Sequence, residues 1–376
     1  MRKFFRLIFL LIITLVFFIS LKPAFAQDTS SIVEGVVTKI TESGQESFQD
    51  ELVDFQELAI EITSGDDKGK IIEVKNSEAG LGMINFQYQQ YQPQDKVKIS
   101  IQTDLEGNII YFLDGMVKRN GLLTLMILFL VVVLLVGRIW GLMSLLGLLT
   151  SFIVIFKLII PLIIKGVDPV LAAVLGSIVI IPATFYISHG FNKKTHVGVV
   201  STLISLIITG FLAVYFVDAT HLTGFASEEA GFLQVERHGS IDIRGLILAG
   251  IIIGTLGILD DVTIGQASVV KQLQSANSEL GFIDLFKNGM KVGQDHISSM
   301  VNTLVLVYSG SALPLLLLFF DSQKTFFDIM EFELIAEEIV RMLVGSIGLV
   351  LAAPLATIIA AYVFSKKQPR TNSKTS

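Results

Sequence analysis

The sequence contains no cysteine. Disulfides, thiolate nucleophiles and cysteine-ligated metals are thereby excluded, leaving His and carboxylates as the strong metal ligands. Histidine is itself scarce, with five in 376 residues. Charge is scarce too: 16% of residues are Asp, Glu, Lys or Arg, against about 25% in soluble domains. No basic patch interleaved with aromatics offers a nucleic-acid surface. A His-Glu-x-x-His zinc motif and a phosphate-binding glycine loop ending in Lys-Ser/Thr are both missing. The serines of Tyr308-Ser-Gly-Ser-Ala312 have no histidine at matching depth. The expectation is a chain that is not an enzyme and takes no cofactor.

Hydrophobic sequence, by contrast, is present in long runs. Apolar residues make up 52% of the chain, and the mean hydropathy is +0.69. From Gly121 onward about seven runs approach the roughly 20 residues that cross a bilayer as a helix. They are 122–136, 142–164, 170–187, 197–217, 246–259, 300–320 and 339–364. The expected fold is an all-α polytopic membrane helix bundle of about seven spans, occupying 118–365, whose first partner is the lipid bilayer.

The N-terminal quarter is different. Residues 1–26 read as a signal peptide: Arg2, Lys3 and Arg6, then an apolar stretch, then Ala24-Phe25-Ala26. An uncleaved anchor helix is the alternative, and either one exports the residues after it. In 27–117, apolar–polar alternation at 32–40 and 52–62, with shorter runs later, is punctuated by turns such as Gly65-Asp-Asp-Lys-Gly69 and Pro93-Gln-Asp95. About five short strands at this spacing predict a small, closed or nearly closed, OB-like β-barrel. Phe86, Tyr88 and Tyr91 read as a binding patch or as ordinary core.

Loop charge orients the bundle. Arg138, Lys193, Lys194, Lys271 and the basic tail 366–376 fall on one side, while the loops around 218–243 and 321–338 are acidic. Basic loops stay in the cytoplasm. The β-domain is therefore expected outside and the C-terminus inside a plasma membrane, as the signal peptide independently requires. The inner segment 262–297 has helical apolar spacing and predicts short amphipathic helices on the membrane surface.

Two polar signatures interrupt the apolar runs. Gly257-Ile-Leu-Asp-Asp-Val-Thr-Ile-Gly-Gln-Ala-Ser268 ends one span, and Gly293-Gln-Asp-His-Ile-Ser-Ser-Met-Val-Asn-Thr303 begins the next. Gly250, Gly254 and Gly257 share a helix face with Asp261, a spacing that lets a neighbouring helix approach closely. Asp260, Asp261, Asp295 and His296 all fall at the inner face. If the two spans are adjacent, the four can converge as a proton or cation site; solvated helix ends or interhelical glue are the plainer readings. Ser299, Asn302, Thr303 and Ser309 extend polarity into the span, either lining a hydrated path or bonding neighbouring helices. Lys157 lies within a span, where a charge is either functional or snorkels to the surface. Pro161, Pro182, Pro314 and Pro354 can kink their helices.

These residues carry a resemblance. The 257–268 stretch, Gly293-Gln-Asp-His296 and Asn302-Thr-Leu-Val-Leu-Val-Tyr-Ser-Gly-Ser-Ala-Leu-Pro-Leu315 resemble the signature of the YibE/F-like membrane proteins. The exported domain with its 65–69 turn also fits, so the resemblance covers nearly the whole chain. It implies a bacterial multi-pass membrane protein without specifying an activity. The leading expectation is a transporter, or the membrane subunit of a transport complex that docks on 262–297 or pairs with a second copy. A non-transporting scaffold or sensor, whose outer domain binds an envelope partner, is the alternative from another class.

Overall fold

The computed structural model describes residues 31–48, 51–77, 89–103, 107, 109–320 and 324–365. The signal segment 1–26, Phe86, Tyr88 and the tail 366–376 lie outside the described residues. The chain divides into two compact units, Lys22–Val136 and the part from Gly137 onward.

The first unit is built on five antiparallel strands: β1 (Ser31–Phe48), β2 (Glu51–Ile62), β3 (Ile71–Ser77), β4 (Lys96–Thr103) and β5 (Ile109–Met116). Their order is β3-β2-β1-β4-β5. The alternation read from the sequence is the alternation of burial. Val33, Val37, Leu58, Ile60, Ile62, Val97 and Ile99 point into one core, and Tyr91 joins them there rather than forming a surface patch. Gln56 fixes Tyr91, accepting from its backbone N at 2.8 Å and donating to its O at 3.2 Å. Two register shifts in β1, between Val37/Lys39 and Ile40/Glu42, bend the long strand. A β-carbon on Gly35 would meet Ile60 at 2.6 Å and Ile99 at 2.9 Å, so only glycine fits between these two side chains of the flanking strands.

The barrel, however, is not closed. β3 pairs with β2 and β5 with β4, and among the described residues no ladder joins the two outer strands. They are linked instead by a side chain: Lys70 donates to the Tyr111 hydroxyl at 2.8 Å. Both edges are short and carry charge, Glu73 and Lys75 on one and Asp114 on the other. Such edges resist pairing.

Helix α1 (Arg119–Val154) starts directly after the sheet. Arg119 forks onto Glu34 of β1 at 2.9 and 3.2 Å, and the first part of α1 belongs to the sheet's unit rather than to the bundle. Arg138, at φ 49° and ψ −130°, breaks the helix. A π-helical turn, Ile155–Ile159, leads into α2 (Ile160–Ile164). Pro161 explains the wide turn, because it offers no N–H to the carbonyl one turn back, which is that of Lys157. Lys157 itself is half-buried in this turn.

The remaining elements are α3 (Pro169–His189), α4 (Lys193–Ala219), α5 (Glu228–Glu236), α6 (Ile243–Ala276), α7 (Phe282–Ser311), α8 (Leu313–Phe320), α9 (Phe326–Met330) and α10 (Glu333–Ser365). Side-chain caps start several of them: Asp168 accepts from Leu171 N at 2.8 Å and Asn192 from Thr195 N at 3.1 Å. α6 is the hub, packed by α3, α4, α7 and α10.

Five described helical stretches are long and apolar enough to cross a membrane: Arg119–Ile164, Pro169–His189, Lys193–Ala219, Ile243–Ala276 and Glu333–Ser365. The expected count of seven differs for two reasons. The runs 122–136 and 142–164 lie in one continuous stretch, kinked at Arg138. The run 300–320 is cut at Ala312, next to Pro314, so that α7 ends and α8 begins.

The segment 262–297, expected at the inner face, is also corrected. It holds no surface-lying short helices. α6 runs unbroken to Ala276, α7 starts at Phe282, and only a short turn separates them. Ala267, Val270 and Leu285 are fully buried with Val197, Ala360 and Ala361. Part of the apolar spacing that suited a membrane surface is satisfied by protein instead, while Lys271, Gln272 and residues 275–279 and 281–284 remain exposed.

Candidate intramembrane site

Asp260 and Asp261 lie near the middle of α6 rather than at its end. Asp260 is half-buried, and its Oδ1 is shielded from solvent with no hydrogen-bond partner. Leu256 and Ile253, one and two turns earlier on the same face, pack against the buried cluster that includes Val154, Ile159 and Ile180. Asp260 continues that face.

His296 approaches α6 from another side. A β-carbon on Gly265 would stand 3.8 Å from its ring, and one on Gly293 would stand 2.9 Å from Gln266. α6 and α7 thus run side by side through Gly265, Gln266 and Gly293. From Asp260 to Gly265 the helix turns by about 140°, five steps of about 100°. Asp260 and His296 consequently occupy opposite flanks of α6. Asp261 is exposed and so is Asp295. Among the described residues, no three His, Asp or Glu side chains stand together so as to hold a metal ion. The four residues expected to converge are brought near α6 but not to one point.

Asp261 has other company. It lies within electrostatic reach of His189, as does Lys194 from the start of α4, and Lys194 in turn feels Lys271. Sequence spacing did not indicate that His189 lies in the neighbourhood of this acid.

The two stripes read from the sequence also fall differently. Gly250, Gly254 and Gly257 are exposed, and β-carbons on them would meet nothing within 4 Å. Among the described residues, then, they seat no neighbouring helix: α6 is packed on its other faces, and this one is left open beside Asp261. On α7, Asp295, Ser299, Asn302 and Thr303 are exposed, while Ser309 and His296 are half-buried. The helix packs through Gly289, Gly293 and Leu304, supported by Ile297, Met300 and Val301. The polar stripe therefore faces away from the helices that α7 contacts. Thr303 satisfies itself by donating to Ser299 O at 3.0 Å.

The densest buried polarity was not singled out from the sequence. α4 contributes Thr195, Ser201, Thr202, Ser205 and Thr209, all at most 1% exposed. α6 adds Thr255, Thr263 and Gln266, and α10 adds Ser346 and Thr357. The seam is cross-linked between helices. Thr202 and Thr263 share a 2.6 Å hydroxyl–hydroxyl bond, Thr263 also reaches Asp260 O at 3.2 Å, and Thr357 donates to Gln266 Oε1 at 3.0 Å. The Thr195, Ser205 and Ser346 hydroxyls have no partner among the described residues. A β-carbon at Gly348 would fall on the Thr209 hydroxyl, so α4 and α10 are in backbone-close contact along the seam. The signal was present as Ser/Thr at helical spacing in 197–217.

The YibE/F-like protein family matches residues 125–366, a range that includes the 257–268 and 293–303 stretches. The chain belongs to the YibE/F-like family. The match covers the helices and leaves out the sheet, so the 65–69 turn has no part in it. No curated protein and no solved structure matches the chain.

Proposed function

We propose that this YibE/F-like protein is a transporter, or the membrane subunit of one, and that its helical unit passes a proton or small cation by way of Asp260 and the hydroxyl seam of α4, α6 and α10. The observation that carries the reading is the shielded, unpartnered Oδ1 of Asp260 within a membrane-length helix. Ionisable groups at such depth are costly, and a proton or cation is the natural partner of a carboxylate oxygen that lacks a donor. Three unpartnered buried hydroxyls add oxygens able to pass a proton or to ligate an ion in place of water. In this reading the chain crosses the plasma membrane about seven times, with the kink at Arg138 separating its first two crossings. The sheet lies outside and the C-terminus inside, and Lys194, Lys271 and His189 ring the inner mouth.

The test is ion flux into proteoliposomes. Purified protein is reconstituted around a pH-sensitive dye, and a membrane potential is imposed with potassium and valinomycin. The parent and Asp260→Glu should acidify or alkalinise the lumen faster than empty vesicles, and Asp260→Asn should not. Sodium and potassium gradients form the cation arm. A parent no leakier than empty vesicles to all three ions overturns the reading, as does an Asp260→Asn variant that conducts like the parent.

A further inference from the structure

The sheet-bearing unit has a cavity of its own, of about 600 Å³, which opens where the end of the sheet meets the start of α1. Its upper wall is cationic: Lys98 of β4, Lys118 and Arg119. Arg119 is engaged by Glu34, and Asp114 accepts from Ser100. Lys98 and Lys118 are exposed and have no ion-pair partner among the described residues. The lower wall is hydrocarbon. Met116 borders it, and Leu122, Leu123 and Met126 extend it down the membrane helix, at 63%, 43% and 51% exposure.

We propose that this cavity binds the phosphate headgroup of an anionic phospholipid, with Lys98 and Lys118 on the phosphate and an acyl chain laid along Leu122, Leu123 and Met126. The lining combines cationic side chains with hydrocarbon, the two chemistries that a phospholipid headgroup and its acyl chains require. Lysines at the end of a membrane helix place their ammonium groups at headgroup level. A volume of this size suits one headgroup with its first methylenes. A free phosphate would satisfy the lysines equally well but would leave the apolar half of the wall uncovered, and this favours the lipid.

The proposal concerns the outer end of α1 and is independent of ion passage. Full-length protein is reconstituted in nanodiscs of phosphatidylcholine alone, or of equal parts phosphatidylcholine and phosphatidylglycerol. The lipids that survive delipidation are then read by native mass spectrometry. The parent should retain phosphatidylglycerol in preference to phosphatidylcholine. Lys98→Ala or Lys118→Ala should each lower that retention about fivefold, and both together about thirtyfold, corresponding to roughly 1 kcal/mol per cation at a membrane surface. Leu123→Gln, which keeps every charge, should lower it too. Equal retention of the two lipids overturns the proposal, as does parent-like retention by the double variant. Displacement of the lipid by excess inorganic phosphate, or indifference to Leu123→Gln, reduces the cavity to a free-phosphate site and also overturns it.

Discussion

Replacing Thr263 by Val removes one hydroxyl from a fully buried pair and leaves the other, on Thr202, without its partner 2.6 Å away. Val has nearly the shape of Thr, so packing is preserved and the loss is polar. An orphaned buried hydroxyl costs about 1–3 kcal/mol. In a membrane the figure falls toward the lower end, because measured interhelical hydrogen bonds there average about 0.6 kcal/mol and reach about 1.7. Thr202→Val should cost somewhat less than Thr263→Val, since Thr263 also bonds Asp260 O. The double variant has no orphan across the interface and should be more stable than the sum of the single losses implies, by about 0.6–1.7 kcal/mol. Reversible unfolding in bicelles, followed by steric trapping on α4 and α6, measures all four corners of the cycle. Additive losses with no coupling would refute the bond. The same variants divide glue from path: if the seam carries protons, the double variant loses flux while regaining stability, whereas pure glue leaves flux untouched.

Particular contacts set the other expectations. With no native cysteine to remove, Ser227→Cys and Ser275→Cys report topology directly; they should label from opposite faces of the membrane, and labelling from the same face sinks the orientation. Residues 27–117 expressed alone should be soluble and strand-rich by circular dichroism, and Leu58→Ala, at 0% exposure, should cost that domain about 2–5 kcal/mol; a helical or unfolded parent spectrum refutes the assignment. Gly348→Leu should abolish the folded bundle, seen as aggregation on gel filtration, because its β-carbon would fall on Thr209, whereas Gly254→Leu should be tolerated within a single chain because nothing lies within 4 Å of it. Equal behaviour of these two variants contradicts the packing of α4 on α10.

The strands were legible because a half-buried sheet writes its two faces into alternate residues, as Ile72 and Val74 do in β3. Whether the sheet closes depends on pairing between β3 and β5, distant in sequence, and no local pattern encodes that. The helices were legible as apolar runs, but their ends were not. Lipid and protein cores reward the same side chains, so Ala267 and Val270 gave no sign that α6 continues past the acids to pack on α4 and α10. The acids illustrate a further limit. Topology ranks residues by depth along a helix, but a site also needs agreement in rotation, and each residue turns the direction by about 100°. Asp260 and Asp261 share a depth yet one is half-buried and the other exposed.

That rotational split bears on how the bundle uses its polar groups. α6 has its packed side on the hydroxyl seam, Asp260 on a flank, and Asp261 with three bare glycines on the open side. α7 lies along another flank with its own polar stripe turned outward. Buried polarity that crosses helices, as between Thr202 and Thr263 or Gln266 and Thr357, fixes their register and resists sliding. Bare glycines offer no such hold. A rotation of α6 that brought Asp260 toward the open side would have to break the Thr202–Thr263 bond but would meet no side chain on the glycine face. The hydroxyl pair is thus one of the contacts, with the Gln266–Thr357 bond and the buried side chains of α6, that hold the helix against such a rotation.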